Sequence, residues 1–373
     1  MTETWPGADH VFPVEGIDAF LAWAADRGAS DIAFQTGEGA MMEIDGHLLD
    51  ATRARLDGVA LGALAQHVFG PAAEGFLRSG RTIDCSHAIG RASSARRRFR
   101  CNLTAVQVAG GFGINLTMRV LPDTVPTFDG LAIEPVIREA WERTSGLTLV
   151  TGVPGSGKST LLAAGIRHLL EEGKGRVQSY EAPIEFTFDR IARSGALMSS
   201  SEVPRHVESF AAGLRASLRR RPRAVVVGEA RDRETVEAVV RAADTGIAVY
   251  ATTHTIGVAA TIRRLVAEFL PEERSERGTA LVDVLHLVVT QVLVPRLGGG
   301  RQALREWLVF DSGLKARMIE NPPSLWPTLV AGEIDMGETG LAMSARRAFQ
   351  AGLISAATRR RAGRITSPGG GKS

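Results

Sequence analysis

A glycine-rich segment near the middle of the chain has the residue types and spacing of a phosphate-binding loop. It reads G-x-x-x-x-G-K-S, and its glycines let the backbone approach a phosphate with no Cβ in the way. The β-prone run 147–150 precedes it and the helix-prone run 161–166 follows it, an order that directs backbone N–H groups and a helix N-terminus at a phosphate. The residues expected to bind the nucleotide are Gly152, Val153, Pro154, Gly155, Ser156, Gly157, Lys158, Ser159 and Thr160.

Three consecutive side chains of this loop have separate expected roles. The ammonium of Lys158 can reach the β- and γ-phosphates, and the Ser159 hydroxyl can ligate Mg²⁺. Thr160 is placed to reach the α-phosphate. The predicted ligands are therefore a nucleoside triphosphate and Mg²⁺.

Three later stretches indicate what the nucleotide is used for. An apolar strand ends at Glu229, and ligands of a parallel sheet lie at the carboxyl ends of its strands, so this acid is expected beside the loop with Mg²⁺. Glu181 and Glu185 follow the preceding strand, where a carboxylate can orient and deprotonate the water that attacks the γ-phosphate. His254 follows a further strand and can sense the γ-phosphate or the waters of Mg²⁺. The competing interpretations are exposed acids at turns and a structural histidine.

Strands and helices alternate after residue 130, which predicts an α/β domain with a mostly parallel sheet and helices on both faces. The predicted strands are 147–151, 176–180, 224–228, 247–252 and 287–294, with an extra edge strand at 305–310, and the predicted helices are 158–171, 205–219, 232–244 and 258–269.

The first 120 residues predict a small α+β domain. A helix at 17–25 and a helical pattern at 56–77 accompany several strands, among them 97–108 and 111–120. The stretch 121–130, which contains two prolines, predicts a linker. The expected organisation is a flexible arm at 1–14, the α+β domain at 15–120, a linker at 121–130, the nucleotide-binding domain at 131–312 and a helical C-terminal region at 313–373, whose last residues, 367–373, are expected to be disordered.

The composition is typical of a soluble globular protein. The chain has 373 residues, 44% of them hydrophobic and 23% charged, and a net charge of +3. Its apolar runs are shorter than a membrane span, and its N-terminus lacks the basic and apolar regions of a signal peptide. The two cysteines, Cys85 and Cys101, are expected to be reduced thiols in a cytoplasmic protein, able to lie opposite each other across a hairpin.

The order of these stretches resembles the secretion ATPases of type IV pilus, type II and type IV secretion systems. Residues 181–186 resemble the acidic box of that family, 228–232 its Walker B segment and 245–255 its histidine box. The N-terminal domain is similar as well, and the resemblance covers about residues 15 to 310. The N-terminal stretches similar to pilus-retraction ATPases are 28–32, 42–46 and 98–102.

Three departures from the retraction ATPases distinguish this chain. Ala182 stands where they normally have Asp, Ile247 where a histidine is expected, and 221–223 (Arg-Pro-Arg) where an Asp-Pro-Asp precedes Walker B. These variants, with residues 201–206, are similar to the DotB/TraJ branch, which serves type IVB secretion and IncI-type conjugation. The absent first histidine leaves the full role of the histidine box open.

The resemblance implies a RecA-like ATPase domain behind a PAS-like N-terminal domain, and a homo-hexameric ring with each ATP site between subunits. It implies Glu185 as general base and Glu229 as the ligand of Mg²⁺ and water, with Lys158 and His254 completing the catalytic set. The arginines expected to reach the phosphates from the N-terminal domain are Arg100 and Arg119.

The resemblance also implies a motor in which hydrolysis rotates one domain against the other about the linker. The expected partners are inner-membrane secretion or conjugation components, with peripheral attachment to that membrane. A protein or a DNA–protein complex is the expected substrate, handled indirectly, and no stable metal cluster is expected.

Other functions fit parts of the sequence. A pilus-retraction motor shares the fold, and a nucleotide-dependent nucleic-acid-binding protein would use arginine runs such as 219–221 and 359–361. A small-molecule kinase is disfavoured by the second domain placed before the loop. A scaffold that does not hydrolyse nucleotide is disfavoured by the intact Lys158 and Glu229.

Overall fold

The computed structural model describes residues 4–5, 16–90, 96–173 and 175–365. These fall into two compact units: one comprises the chain up to Thr124 together with Ala182–Thr187, and the other comprises Val125–Glu181 and the chain from Phe188 onward. The expected arm at 1–14 lies outside the described residues except at 4–5, and the expected disordered tail at 367–373 lies wholly outside them. Within the described part, every helix is too short or too polar to cross a bilayer.

The N-terminal unit is built on a six-stranded antiparallel sheet, which confirms the predicted α+β domain. The strand order is β3-β2-β1-β6-β5-β4 for the elements that follow. In chain order they are α1 (Ile17–Asp26), β1 (Asp31–Gln35), β2 (Gly39–Ile44), β3 (His47–Arg55), α2 (Gly58–Phe69), α3 (Ala73–Arg78), β4 (Ile83–Ile89), β5 (Arg97–Val108) and β6 (Gly111–Leu121).

Apolar side chains spaced for helices and strands meet in one core in this unit. Strand β1 alternates, so Ile32 and Phe34 are fully buried, and α1 buries Phe20 at helical spacing. Cys85 of β4 and Cys101 of β5 are register partners, the opposed placement that the sequence allowed, and both are buried. The small domain therefore has a core of its own.

The second unit is an α/β domain. Its elements are α4 (Pro135–Trp141), β7 (Gly146–Thr151), α5 (Lys158–Glu171), β8 (Gly175–Glu181), β9 (Ala196–Glu202), α6 (Phe210–Ser217), β10 (Ala224–Val227), α7 (Arg233–Asp244), β11 (Ala248–Thr253), α8 (Val258–Ala267), α9 (Arg274–Val284), β12 (Leu285–Pro295), β13 (Arg301–Val309), α10 (Ser312–Ile319), α11 (Trp326–Met336), α12 (Leu341–Gln350) and α13 (Ala356–Ala362).

Its seven-stranded sheet has the order β13-β12-β7-β11-β10-β8-β9. All neighbours are parallel except β12 and β13, so the sheet is mostly parallel with one antiparallel edge strand, as the alternation predicted. Strand β10 shows why its sequence is continuously apolar: all four of its residues are buried, because both faces of a parallel sheet are covered. The carboxyl ends of β7, β10 and β11 carry the segments discussed below.

Strand β9 and helix α6 differ from the sequence-based expectation, and helices α4 and α9 were not predicted. Strand β9 was not predicted, because the run ALMSSSE is poor in the β-branched and aromatic residues that favour strands; parallel pairing with β8 stabilises it. The helix expected over 205–219 begins only at Phe210. Ser209 caps it there, its hydroxyl accepting a hydrogen bond from the backbone N–H of Ala212 at 3.1 Å.

A buried glutamate on the edge strand joins the N-termini of two helices. Glu306 of β13 accepts hydrogen bonds from the backbone N–H groups of Val258 at 2.8 Å and Leu341 at 3.4 Å, the first residues of α8 and α12. Both helices have glycine at the N-cap, so this carboxylate supplies an acceptor that the cap residues lack. Burial raises the pKa of Glu306, and the two N–H donors oppose that rise.

Candidate nucleotide and hydrolysis site

The predicted phosphate-binding loop joins the end of β7 to the start of α5, whose N-terminus therefore opens onto the loop. Gly155 and Gly157 have φ of 76° and 84°, a left-handed conformation that glycine adopts without a Cβ penalty. A Cβ on Gly152 would lie 2.4 Å from the carbonyl oxygen of Gln291. Local conformation and close packing thus both require the glycines of the motif.

Lys158 is the first residue of α5 and its side chain folds back over the loop. It is only 7% exposed, and its Nζ donates to the carbonyl oxygens of Gly152 at 2.7 Å and Val153 at 3.0 Å. A phosphate oxygen offers this buried ammonium a charged acceptor, which makes a stronger hydrogen bond than a neutral carbonyl. The lysine is therefore placed to bind phosphate at the loop.

Glu229 and His254 lie with Lys158 at the carboxyl edge of the sheet. Nδ1 of His254 lies 3.4 Å from Lys158 Nζ, and its Nε2 lies 3.3 Å from Oε1 of Glu229. Glu229 follows β10 and His254 follows β11, and these two strands are parallel neighbours. Parallel pairing thus brings residues 158, 229 and 254 together, as the strand-end argument predicted.

Hydrogen bonds between the two strand ends hold this arrangement. The backbone N–H of Ala230 donates to the carbonyl of Thr252 at 2.8 Å, and the Thr252 hydroxyl donates to the carbonyl of Gly228. Gly228 also donates to the carbonyl of Tyr180 at 2.7 Å. The backbone on either side of Glu229 is therefore fixed to both neighbouring strands.

The hydroxyl groups of the loop differ in their surroundings. Ser159 and Thr160 are half-buried in the first turn of α5, while Val153 and Pro154 are exposed at the tip of the loop. The Ser156 hydroxyl is buried and makes no hydrogen bond to any described part of the chain. A buried hydroxyl in that position is costly unless a ligand accepts a hydrogen bond from it, so the loop fits a phosphate group.

A buried polar pair that the sequence analysis missed supports the loop from β12 and β13. Gln291 donates to the carbonyl of Ser156 at 2.9 Å and accepts from Nε of Arg305 at 2.9 Å. Arg305 is 3% exposed, and its guanidinium also donates hydrogen bonds to the carbonyl of Leu131 at 2.9 Å and to the carboxylate of Glu134 at 3.2 Å. Burial lowers the pKa of Arg305, and Glu134 opposes that effect. Two polar residues inside apolar strands were the available signal.

Glu185 belongs to the N-terminal unit in this structure, within the segment Ala182–Thr187. Arg98 of β5, 3% exposed, donates to the carbonyl oxygens of Ile184 and Glu185, both at 2.6 Å. Arg100, two residues along the same strand, lies 3.3 Å from Oε1 of Glu185. The predicted general base is thus held by two arginines of one strand, and Arg98 was not among the predicted site residues.

Arg119 has a different environment from Arg100. It lies on β6 opposite Arg100 in the strand register, is 66% exposed and forms an ion pair with Asp31 at 2.9 Å. The structure therefore places the predicted residues in two groups. The loop, Lys158, Glu229 and His254 lie in the second, α/β unit, and Arg100, Arg119 and Glu185 lie in the N-terminal unit.

The donor set at the strand ends fits a magnesium–nucleotide complex. Ser159 offers a hydroxyl oxygen and Glu229 a carboxylate, and hard oxygen ligands of this kind are those that Mg²⁺ prefers when it also binds phosphates. Together with the Ser156 hydroxyl and the cradle that excludes a Cβ at Gly152, these groups suit a nucleoside triphosphate.

Comparisons with known proteins agree with this geometry. The family described as "Type II/IV secretion system protein" matches residues 103–321. The type IV pilus retraction ATPase PilT of Pseudomonas aeruginosa is 30% identical over 339 residues, 91% of this chain and 95% of that protein.

Two solved structures are similar over nearly the whole chain. The X-ray structure of the Legionella pneumophila ATPase DotB is 38% identical with a TM-score of 0.88 and covers 96% of this chain and 97% of its own. The crystal structure of the pilus retraction motor PilT with bound ADP is 30% identical with a TM-score of 0.80, covering 93% and 96%. The phosphate-binding loop, the strand-end acid and histidine, and these relatives together place the chain in the family of type II/IV secretion ATPases.

Proposed function

We propose that the chain hydrolyses ATP with Mg²⁺ and that this hydrolysis drives substrate transfer through a type IV secretion apparatus of the IVB or conjugative kind. The observation that carries the proposal is the contact of His254 with both Lys158 and Glu229 at the phosphate-binding loop. The match to the family described as "Type II/IV secretion system protein" supports secretion as the task, and the likeness to the Legionella ATPase DotB supports the branch that the sequence variants resemble.

Each residue of the site has a separate role in the proposed hydrolysis. Lys158 and the loop N–H groups hold the β- and γ-phosphates and stabilise the charge that develops in the transition state. Glu185 accepts a proton from water as its oxygen bonds to the γ-phosphorus; the bond from that phosphorus to the bridging oxygen breaks, releasing ADP and phosphate. Ser159 and Glu229 would hold Mg²⁺, which supplies further charge stabilisation on the phosphates.

His254 links the lysine that holds the γ-phosphate to the acid that holds Mg²⁺. Loss of the γ-phosphate would change the charge on one side of the imidazole while the other side stays in contact with Glu229. We therefore assign His254 the role of sensing the γ-phosphate within this site.

The proposal includes a homo-hexameric ring with ATP sites between subunits. Arg100 and Arg119 would act on the nucleotide of a neighbouring subunit, and Arg100 would then exchange the Glu185 carboxylate for a phosphate. Residues 121–130 would form the hinge between an N-terminal domain (15–120) and an ATPase domain (131–312), followed by the C-terminal region (313–373). Each power stroke would turn one domain against the other.

The proposed location is the cytoplasmic face of the inner membrane. Peripheral contacts with inner-membrane secretion or conjugation components would hold the ring there, and the apparatus would move a protein or a DNA–protein complex. Membrane fractions should retain the chain only when those components are present.

The experiment that tests the proposal compares ATP hydrolysis with oligomeric state across protein concentrations. We expect activity only in a roughly hexameric species, and its loss in Lys158→Ala and Glu229→Gln. Lys315→Ala and Glu272→Gln, which change the same residue types outside the site, are the controls. A monomer that hydrolyses ATP equally well at every concentration would contradict the sites between subunits.

A pilus-retraction motor is the second candidate, favoured by the match to PilT over 95% of that protein's length. Deletion of the gene in its host distinguishes the two. We expect loss of substrate transfer with twitching motility unchanged, and recovery with wild type but not with Lys158→Ala. Loss of twitching alone would favour retraction, and steeply salt-dependent binding to DNA or RNA would favour the nucleic-acid-binding alternative.

A further inference from the structure

Two histidines and an aspartate of the N-terminal unit converge on its surface. Asp18 lies in the first turn of α1, His67 in the last turn of α2 and His87 within β4. Oδ1 of Asp18 lies 3.3 Å from Nε2 of His67 and 3.8 Å from Nε2 of His87, and the three potential ligand atoms all lie within 4.8 Å of one another. One oxygen and two imidazole nitrogens therefore lie close enough together to contact a single ion.

The separations are close to those of a tetrahedral metal centre. With metal–ligand distances of about 2.0–2.1 Å, neighbouring ligand atoms of a tetrahedron lie about 3.3 Å apart. When two imidazoles bind the same tetrahedral ion, the metal–nitrogen distance and the distance from nitrogen to ring centre together put the two ring centroids about 5.2 Å apart. The observed centroid distance between His67 and His87 is 5.1 Å, with the ring planes 61° apart. The Asp18–His87 distance of 3.8 Å exceeds the tetrahedral separation by about half an ångström.

The three side chains stand on packed elements and differ in their access to solvent. Residues adjacent in the fold, such as Phe20 of α1, Val68 of α2 and Cys85 of β4, are at most 1% exposed and belong to one core. The exposed fractions of the three side chains are 51% for Asp18, 35% for His67 and 11% for His87. The packed elements position the ligands; an ion can reach Asp18 and His67 from water, and Nε2 of His87 is a buried nitrogen beside them.

We propose that Asp18, His67 and His87 bind a first-row divalent transition metal, with Zn²⁺ as the reference ion. Neutral imidazole nitrogens with one carboxylate oxygen suit this class of metal, whereas Ca²⁺ and Mg²⁺ prefer all-oxygen sites. Three protein ligands leave a fourth position for water. The bound ion links α1, α2 and β4 and so stabilises the N-terminal unit. The proposal is independent of nucleotide hydrolysis.

The competing explanation is an ion pair between Asp18 and a protonated histidine with no metal. The two differ in what chelation does. A metal site loses stability when the ion is removed, whereas an ion pair is indifferent to chelator.

The test uses the full-length, nucleotide-free protein, stripped of metal with a chelator and dialysed. Zn²⁺ is titrated by calorimetry, and Co²⁺ is followed by its visible absorption, which is intense in tetrahedral sites. We expect one equivalent of each per chain, a rise in Tm on adding Zn²⁺, and at least about a tenfold loss of affinity in Asp18→Asn and His67→Gln. The control is His47→Gln, which removes an exposed histidine of the same unit and should bind as wild type does.

Three results would overturn the proposal. They are the absence of saturable binding, binding that survives unchanged in Asp18→Asn, and binding that is lost in His254→Gln, which would place the ion at the His254–Glu229 pair. If His67→Gln fails to fold, Asp18→Asn decides, because the shift in Tm caused by Zn²⁺ is measured within each variant and does not depend on its basal stability.

Discussion

His254 is the residue whose position most directly connects phosphate binding with the acid of the site. Its two ring nitrogens lie 3.4 Å from Lys158 Nζ and 3.3 Å from a Glu229 oxygen. An imidazole in contact with both groups can align them with each other.

We predict that His254→Gln lowers kcat for ATP hydrolysis by about tenfold or more while KM changes little, because the lysine and the loop that bind ATP remain. Steady-state kinetics measure both parameters. His168→Gln, which removes a histidine of α5 paired with Glu142, is the control and should retain wild-type kcat. An unchanged kcat in His254→Gln would rule out the aligning role.

A second histidine makes the stability of the ATPase unit depend on pH. His286 of β12 is 6% exposed, and its Nε2 lies 2.9 Å from the carbonyl oxygen of Ala140, so the neutral ring donates there. Burial lowers the pKa of His286 below its ordinary value of 6.5; the bond to Ala140 opposes this, and Arg143 and Lys315 add to it. The folded state therefore disfavours the charged ring.

The sign of the effect follows from proton binding. Between the lowered folded pKa and 6.5 the unfolded chain binds more protons, so the contribution of His286 is complete above pH 6.5 and declines as pH falls through the folded pKa. We predict that wild type loses more free energy of unfolding than His286→Gln between pH 7.5 and 5.5, as measured by urea denaturation. Parallel pH profiles for the two proteins would contradict this.

At the scale of elements, the two strands β12 and β13 connect the phosphate-binding loop with the segment before α4. Gln291 and Arg305 face each other in the strand register, and their hydrogen bonds run from the Ser156 carbonyl to Leu131 and Glu134. The antiparallel edge strand therefore does more than close the sheet. It brings a guanidinium to a glutamine that holds the loop.

We predict that Arg305→Met destabilises the ATPase unit by about 2–3 kcal/mol and weakens binding of an ATP analogue, since it leaves buried carbonyl oxygens and the Gln291 amide without their donor. Denaturant unfolding and equilibrium titration measure the two effects. Arg305→Lys keeps the charge but loses the planar fork, so it should fall between methionine and wild type. Unaltered nucleotide affinity in Arg305→Met would show that the loop does not depend on this support.

At the scale of the whole molecule, the proposed ring can be tested by mixing inactive subunits. Lys158→Ala removes the phosphate-binding lysine from a subunit's own loop, and Arg100→Ala removes the arginine that it would offer to its neighbour. In a mixed ring, an intact loop in one subunit can meet an intact arginine from the next.

We predict that an equal mixture of Lys158→Ala and Arg100→Ala recovers about a quarter of wild-type ATPase activity, the fraction of sites at which both halves are intact by random assembly. Each variant alone should be inactive. The control mixes Lys158→Ala with Glu229→Gln, both defective in the same half of the site, and should stay inactive. No recovery in the first mixture would assign each site to a single chain.

The sequence by itself determined the family, the phosphate-binding loop and the alternation of strands and helices, which predicted the α/β class that the structure confirmed. These are local features: a glycine-rich loop between an apolar strand and a helix is encoded by one contiguous segment, so it can be recognised without knowing the rest of the fold. The strand-end rule also placed Glu229 and His254 beside Lys158, since parallel neighbours end at the same edge.

Tertiary structure alone decided which distant residues serve the site. Arg98 contacts Glu185 across 87 residues and Gln291 contacts Ser156 across 135, and no short-range pattern encodes such pairings. No short-range pattern brings Asp18, His67 and His87 together either, because they come from two helices and a strand. Strand β9 has a weak strand propensity of its own and forms because it pairs with β8. Contacts of this kind depend on how complete elements pack, and packing is a property of the folded chain rather than of any one segment.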